Sequence, residues 1–586
     1  MRMRLRPALH YAPVRDGVYF GAEGTSFVVR GPAALFKVAD VCVPLLEDGA
    51  TEDSLVAALG NEAARPVVTT LLNTFSRQGL LLDPDALSVP EPDAGTRERY
   101  RDVLADLETL HEDPYAAFER LRAATVLVSG PAGFVLPAAR GLARTGVGRL
   151  VLAVPGPDAP AVADTAGRLG AELLPLTPEG VGVADADAAI VFAPGELLDA
   201  AVARQAALLP EGCAIVPVRQ DERFHLVGPQ AGGAPGHRAA VAARVAHWAD
   251  AAPLGAAAGA LAGALAGQLA YRVLTGTAGT PGGTAYVVHG AELNATRIDL
   301  PSPDAADASA ADAGAAAEPG LDRGGDLDEA VAHVQAVAAP WTGPFALVTP
   351  ENLPQLPLGV AEAEHRDGTA GSVAAWGGNQ RSSSVAVALA ALRAQQHPGP
   401  DAVAAAGTTE ERWLLDGTLR LLAERAEPAG DAPDFADLDK AAQVLWRTLE
   451  DHEFVTVGLS LLRVPGVDWP LAVVHDRATG RDVASAWGPD RASAAVAALS
   501  TALTRVQTRR IRGRELVTAG PDTTALLHAG SAELAALAEQ TRLWTTPSGQ
   551  RAADPVLGET PLWFGTVTAR PATDSVAEAL PKEALA

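Results

Sequence analysis

Groups able to do covalent or metal chemistry are few in this 586-residue sequence, and they are far apart. Cys42 and Cys213 are the only cysteines. They exclude a disulfide framework and a zinc site of four thiolates, and they fit a reducing cytosol. His289, His365, His452 and His475 are scattered. Glu362 and Glu364 sit beside His365, a grouping that invites comparison with a cation site because such ions take carboxylate and imidazole ligands. Here the three read instead as a solvated turn. No Walker loop, H-E-x-x-H or G-x-S-x-G occurs. The chemistry that remains is that of the backbone. In Ser26-Phe27-Val28-Val29-Arg30, alternation puts Phe27 and Val29 on one face and Ser26, Val28 and Arg30 on the other. Were this an edge strand, its unpaired N–H and C=O groups could receive an incoming chain.

The elements around it follow from the local pattern. Val18 to Ala22 reads as a strand, Gly24-Thr25 as a turn and Ser26 to Arg30 as the next strand. A weaker strand falls between Arg4 and Tyr11, confined to an edge by Pro7. Ala34 to Glu47 is helical in pattern, with Pro44 expected to kink or stop it. Thr51 caps a second helix that has Glu52 and Asp53 in its first turn. Pro66 just inside and Gly79 just past the end bracket a third. On that helix Val67, Leu71 and Phe75 share a stripe, with Val68 and Leu72 beside it. Leu80 to Leu82 follows as a wing strand. The order β-β-β-α-α-α is a winged-helix pattern.

After a linker at Ser88 to Thr96 comes an amphipathic helix from Arg97 to Leu110. Strand Ala124 to Gly130, a turn, a helix and strand RLVLAV then form the βαβ opening of a doubly wound sheet. The uncharged stretch Ala251 to Leu274 reads as a buried helix and not a membrane span. Ser302 to Asp326 has almost nothing to bury and reads as disordered. Beyond it, helices at Ser383 to Gln395, Glu410 to Arg425 and Ala436 to Glu450 mix with strands at Phe454 to Arg463 and Leu471 to Asp476. Ala478-Thr479-Gly480 is a hairpin turn. Trp341, Trp376, Trp413, Trp446, Trp469 and Trp487 are expected as core or interface anchors. The fold expected is multidomain α/β: a winged helix at 1–86, a Rossmann-type domain at 97–300, a disordered linker at 301–327 and an α+β domain at 328–586.

A formal net charge of −25 argues against nucleic acid and against an anionic membrane surface. The third helix adds only Arg65 and Arg77, too few for a DNA-reading face. Locally, Arg2, Arg4, Arg6, Arg15, Arg30 and Lys37 outnumber Asp16 and Glu23. This is either a basic patch suited to an acidic peptide or an ordinary solvated edge. The arginine-rich start is followed by no apolar signal segment, so a cytoplasmic protein is expected.

His10 to Gly31, HYAPVRDGVYFGAEGTSFVVRG, with the element order around it, resembles the RiPP recognition element, the winged-helix module that binds the leader of a precursor peptide. The resemblance covers about Leu5 to Leu82. It implies that the leader adds as a strand to Ser26–Arg30 and lies against the Val67–Arg77 helix. The peptide-binding residues it points to are Ser26, Phe27, Val28, Val29, Arg30, Val68, Leu72 and Arg77; Phe27, Leu71 and Phe75 also read as core. Four added hydrogen bonds at ~0.5–1.5 kcal/mol net supply ~2–6 kcal/mol. Micromolar affinity takes about 8 kcal/mol, so apolar pockets must contribute the remainder.

VLVSGPAGFVLPAARGLARTGVGRLVLAV, from Val126 to Val154, resembles the opening of ThiF-like adenylation domains; EGCAIVPVRQDERFHLVGPQAGGAPGHRAAV and YVVHGAELNATRIDLPSPD resemble its later elements. At each chemical position the sequence departs from that family. Val154-Pro155 replaces the ribose-binding acid, and Ala193-Pro194-Gly195 replaces an Asp-Asn pair. Gly236-His237-Arg238-Ala239 and Pro303-Asp304-Ala305-Ala306 stand where the two CxxC pairs of a zinc site belong. The resemblance therefore implies a retained fold with zinc and ATP sites lost, and no cofactor. With a recognition element in front, the chain resembles the ocin-ThiF-like (F protein) partners of thiazole/oxazole-modified peptide and thiopeptide biosynthesis.

Gly377 to Ser384 followed by VAVALAALRAQ, and Pro470 to Gln507, faintly resemble parts of a YcaO domain. That family binds Mg-ATP through helical glutamates, but Ala388 to Ala394 hold no carboxylate, and Thr504-Arg505-Val506-Gln507 keeps only the Gln of a Glu-x-x-Gln. This implies a docking domain for a true YcaO enzyme. The resulting expectation is a non-catalytic adaptor whose partners are a precursor peptide leader and a separate YcaO cyclodehydratase. Two alternatives stay open: an ATP-dependent adenylating or cyclising enzyme, and an adaptor for a lantibiotic-type dehydratase.

Overall fold

The computed structural model describes residues 2–22, 25–230, 235–277, 283–301, 327–349, 351, 353, 355, 357–366, 371–430, 432–513 and 520–571. It divides into two compact units: Met1–Gly233 with Asp250–Asp299, and Ala234–Ala249 with Leu300–Ala586. The linker expected at Ser302 to Asp326, the Pro303–Ala306 position and Gly24 of the predicted turn lie outside the described residues.

The first unit opens with β1 (Arg4–Leu5), β2 (His10–Val14), β3 (Gly17–Ala22) and β4 (Thr25–Arg30). Then come α1 (Ala34–Glu47), α2 (Glu52–Leu59), α3 (Arg65–Arg77) and β5 (Leu81–Leu82). β2, β3 and β4 form an antiparallel sheet in that order, and β1 pairs with β5. The single weak strand expected between Arg4 and Tyr11 is thus two strands in different sheets. The Thr51 hydroxyl accepts the Ser54 N–H at 3.2 Å, and Gly79 takes a left-handed φ of +68° after α3. α1 runs through Pro44 to Glu47 instead of breaking. The proline falls in the last turn, where few backbone bonds depend on it, and burial of Cys42, Val43 and Leu46 holds the turn. Phe20 and Phe75 meet edge to face at 5.0 Å in this module's core.

The basic patch is partly internal. Arg4 is buried and pairs with Glu91 at 2.6 Å and with Glu108, and it donates to the Tyr115 hydroxyl at 2.6 Å. Arg6 donates to the carbonyls of Glu108 and His111. These two arginines fasten the N-terminal sheet to the helices that follow. They do not face solvent as a patch.

Those helices are α4 (Ala94–Arg99), α5 (Arg101–Leu110) and α6 (Pro114–Ala123). The doubly wound part comprises β6 (Thr125–Ser129), α7 (Ala132–Thr145), β7 (Arg149–Val154), α8 (Ala159–Leu169), β8 (Glu172–Pro175), β9 (Ala188–Pro194), α9 (Leu198–Ala206), β10 (Ala214–Gln220) and β11 (Phe224–Val227). α10 (Pro235–Trp248) is counted with the second unit; α11 (Ala258–Thr275), β12 (Thr284–His289) and β13 (Asn294–Asp299) complete the first. The sheet order is β13-β12-β11-β10-β9-β6-β7-β8, parallel from β10 to β8. The strands are apolar on both faces because each face carries its own core. α11 lies against α7, its Gly263 placed so that a Cβ there would meet the Phe134 carbonyl at 2.3 Å. No helix among the described residues is long and apolar enough to cross a membrane.

In the second unit, α10 is held by a buried Arg244–Asp554 pair at 2.9 Å and by the Trp248 indole donating to the Gly343 carbonyl. α12 (Leu327–Val337) precedes the antiparallel sheet β14 (Phe345–Leu347), β15 (Gly359–His365) and β16 (Ser372–Gly377). Then come α13 (Gln380–Ala394), β17 (Ala402–Gly407), α14 (Glu410–Leu422), β18 (Glu427–Pro428) and α15 (Lys440–Arg447). β19 (Val457–Arg463), β20 (Leu471–Asp476) and β21 (Arg481–Trp487) form a sheet with β18. The long α16 (Arg491–Arg512), α17 (Ser531–Arg542), β22 (Thr545–Arg551) and β23 (Trp563–Pro571) close the unit. Trp341, Trp413, Trp446, Trp469 and Trp487 are buried. The strand expected from Phe454 begins only at Val457, because Phe454 takes a left-handed φ of +58°.

Candidate functional site

β4 is an edge of its sheet. Its register with β3 pairs Val18 with Val29 and Tyr19 with Val28. The Gly31 N–H donates to the Asp16 carbonyl at 3.0 Å, which sets the alternation of bonded and non-bonded pairs. Val29, Phe27 and Thr25 therefore bond back to β3. Ser26, Val28 and Arg30 direct both backbone groups away from it. These three side chains are exposed, with Val28 45% exposed, while Phe27 and Val29 are half-buried against the module's core. Arg30 lies 3.9 Å from Asp16, both well exposed.

α3 lies beside this strand. Phe27 and Phe75 are 6.5 Å apart, and the Thr25 hydroxyl bonds the Gln78 side-chain oxygen at 3.2 Å. Val68 is 0% exposed and Leu72 5%. They belong to the core stripe Val68-Leu71-Leu72-Phe75 and offer no free surface to a peptide, a correction to the sequence reading. The i, i+3, i+4, i+7 spacing of those four is the signal that marked them as core. Val67 and Arg77 are exposed on the flank. The structure thus brings Ser26, Val28 and Arg30 together on one open edge, with Phe27 and Val29 behind it and Arg77 further along α3.

A second candidate is the point where strand order reverses, between β6 and β9, the usual ligand crevice of such sheets. Its helix N-terminus is already occupied by the protein. The Ala132 N–H, at the start of α7, donates to the Asp158 carboxylate at 2.9 Å. Gly130, at φ +146°, packs so closely that a Cβ there would sit 2.6 Å from the Phe192 Cβ. Phe134 lies against Phe192 at 5.3 Å and against His225 at 5.1 Å. Burial pushes the His225 imidazole below its ordinary pKa. Val154 is fully buried at the end of β7. Arg219 donates to the Gly195 carbonyl at 3.0 Å, against the Ala193-Pro194-Gly195 turn. Sequence reasoning missed Asp158; its position within one turn of Val154 was the available signal.

In the second unit, Glu362 is not in a solvated turn. It is a fully buried residue of β15, accepting from Ser372 at 2.9 Å and paired with Arg512 at 2.7 Å. Glu362 and Glu364 share one face of β15, and Glu362 is the one fully buried, against a partner 150 residues away. Among the described residues, no group of three or more His, Cys, Asp and Glu could hold a metal ion. Cys42 is buried and Cys213 partly so, and burial pushes both thiols up to about 11.

No family model matches this sequence, and no curated protein matches it. Among solved structures, the chain is similar to a heterocyclase in complex with substrate and cofactor, at 12% identity, over 97% of this chain and 94% of that one, with a TM-score of 0.51. It is also similar to E. coli MccB in complex with succinimide, at 11% identity over 52% of this chain and 98% of that one, with a TM-score of 0.36. At such identity the first likeness is one of fold: a mixed α/β chain built around a large, mostly parallel Rossmann-like sheet.

Proposed function

We propose that this chain is a leader-peptide-binding adaptor. Its N-terminal module acts as a winged-helix recognition element. It holds the leader of a ribosomal precursor and delivers the core peptide to a separate YcaO cyclodehydratase in the cytoplasm, which uses ATP to close Cys, Ser or Thr into azolines. The observation that carries the reading is the edge of β4, where the N–H and C=O of Ser26, Val28 and Arg30 face away from β3 with no backbone partner among the described residues. Holding the peptide near the enzyme raises its effective concentration there. The second unit, faintly YcaO-like in sequence, serves as the docking part. The proposal of no chemistry in the chain itself rests on Asp158 and Phe192, which take up the α7 end where a nucleotide's phosphates would lie.

A second reading, an ATP-dependent cyclising enzyme, is favoured by the likeness to a heterocyclase seen with substrate and cofactor. One experiment separates the two. A labelled synthetic peptide copying the N-terminal half of a short Cys/Ser/Thr-rich reading frame beside this gene is titrated with the full chain, and ATP hydrolysis is followed in parallel. The adaptor reading expects micromolar binding with no hydrolysis by the chain alone. Hydrolysis by the chain alone contradicts it, and so does failure to bind.

A further inference from the structure

Among the described residues, the most exposed large apolar side chain is Phe454, 86% exposed on the loop that leads into β19. Its backbone sits at φ +58°, in the left-handed region, where glycine carries no penalty and a Cβ does. The residues just before it, Thr448 to His452, form a π-helical turn, another uncommon conformation. The surroundings hold this loop in place. The Glu453 N–H donates to the Thr448 carbonyl at 3.1 Å, and the Val455 N–H to the Leu449 carbonyl at 2.9 Å. The Arg477 N–H donates to the Thr456 carbonyl at 2.8 Å. The Glu453 carboxylate, its side chain only 2% exposed, accepts from Arg510 at 2.8 and 3.0 Å. These ties fix a strained residue while its own ring is left in water. Strain of this kind persists where the surroundings over-determine it, and it marks functional positions. A ring fixed in advance also loses little freedom on binding, which suits an interface anchor.

The same unit carries a groove of about 320 Å³ between α14, α17 and the start of β22. That is the low end of the roughly 300–1,000 Å³ of small-molecule sites and ample for a phenyl ring. Leu414, Leu415, Ala538 and Pro547 make the groove apolar. Glu410 and Glu411, both exposed in the first turn of α14, line it too, as does Arg542. Beside Phe454 stand the exposed Arg477 and Arg510, with Asp451 on the preceding turn. Ring and groove therefore match in charge as well as in shape: an apolar knob flanked by arginines, and an apolar floor edged by glutamates. A buried Phe contributes ~150–250 Å². Even two such contacts stay below the roughly 1,000 Å² of a stable interface, so the association they support is reversible.

We propose that Phe454 of one copy of this chain seats in the α14–α17 groove of another copy, with Arg477 and Arg510 meeting Glu410 and Glu411 around it. The chain itself carries both halves of the contact, and this favours a second copy as the occupant. A membrane is a poorer match for the ring, because a net charge of −25 opposes an anionic lipid surface. Self-association through the second unit goes beyond the adaptor reading and does not rest on it.

Sedimentation velocity of the full chain, at concentrations up to about 100 μM, tests it. The expected result is a mass that rises reversibly with concentration, with a Kd of about 10–100 μM. Phe454→Gly removes the ring and the strain together. It is expected to weaken association at least about thirtyfold while Tm stays level or rises. Ala538→Arg, which fills the groove, should have the same effect on association. Glu410→Lys combined with Glu411→Lys should weaken it at least about tenfold. If Ala538→Arg does not fold, the double charge variant, on an exposed turn, reads the groove in its place. Leader binding belongs to the first unit and stays unchanged in every variant, so failure here is separable from failure of the adaptor reading. A monomer at every concentration, association undiminished in Phe454→Gly or in the groove variants, or a lowered Tm in Phe454→Gly would each overturn the proposal.

Discussion

The edge of β4 and the start of α7 both present backbone N–H groups at the margin of the first unit, and they have opposite fates. At β4 the groups of Ser26, Val28 and Arg30 have no backbone partner among the described residues. At α7 the corresponding donor is met by Asp158, and Gly130 is pressed against Phe192. At the start of α7 the protein's own Asp158 carboxylate meets the Ala132 N–H, with the Phe192 ring packed on Phe134 beside it. The difference between the two sites lies in which backbone groups the chain satisfies for itself.

The sharpest challenge to that comparison is the joint between the two regions. Arg4 is buried against Glu108 and Tyr115. Arg4→Ala takes the counter-charge from the buried Glu108 carboxylate, which keeps the Tyr115 hydroxyl as a donor, and is expected to cost about 3 kcal/mol in denaturant unfolding. A loss under about 1 kcal/mol would mean that the pair is a surface contact and that the open edge is not rigidly presented. Next in size is Val28→Pro. The Val28 N–H faces away from β3, so the variant should fold with little change in Tm yet bind leader about tenfold more weakly, near 1.4 kcal/mol. Unchanged affinity in a folded protein breaks the open half of the comparison.

Asp158→Ala addresses the closed half. Loss of a side chain that bonds a helix N-terminus is expected to lower stability by about 1 kcal/mol. Nucleotide should still not bind, because Phe192 and Phe134 stay in place; binding gained in this variant would make Asp158 the sole closure. The smallest effect is on pH. His111, His225 and His289 are lowered by burial, so the unfolded chain takes protons first. Their contribution is intact above about 6.5 and is lost as pH falls from there through the folded-state values. The unfolding midpoint should therefore drop between about pH 7 and pH 5, less so in His225→Phe. The ratio of leader affinities of wild type and Val28→Pro should stay constant over that range, since backbone groups do not titrate.

Local signals made much of this legible. Pro66 and Gly79 bracket α3 as expected, and the Thr51 cap and the hairpin at Gly480 are where turn chemistry places them. The alternation of Ser26 to Arg30 separated the open face from the half-buried one. What failed were inferences about partners distant in sequence. Arg4 and Arg6 looked like surface charge because Glu108 and Tyr115 lie more than a hundred residues on. Glu362 looked solvated because Arg512 is 150 residues away. Val68 and Leu72 were assigned to the peptide although their spacing with Leu71 and Phe75 already made them core. Periodicity reports which face of an element is buried. It does not report which charge will be paired inside.

The central claim is that an incoming leader forms hydrogen bonds with the outer edge of β4. Hydrogen–deuterium exchange of the full chain, with and without saturating leader peptide, reads those bonds directly. The account predicts slowed exchange at the Ser26, Val28 and Arg30 amides, with Phe27 and Val29 changed little because they already bond to β3. Tight binding of the leader with unchanged exchange at those three amides would contradict it.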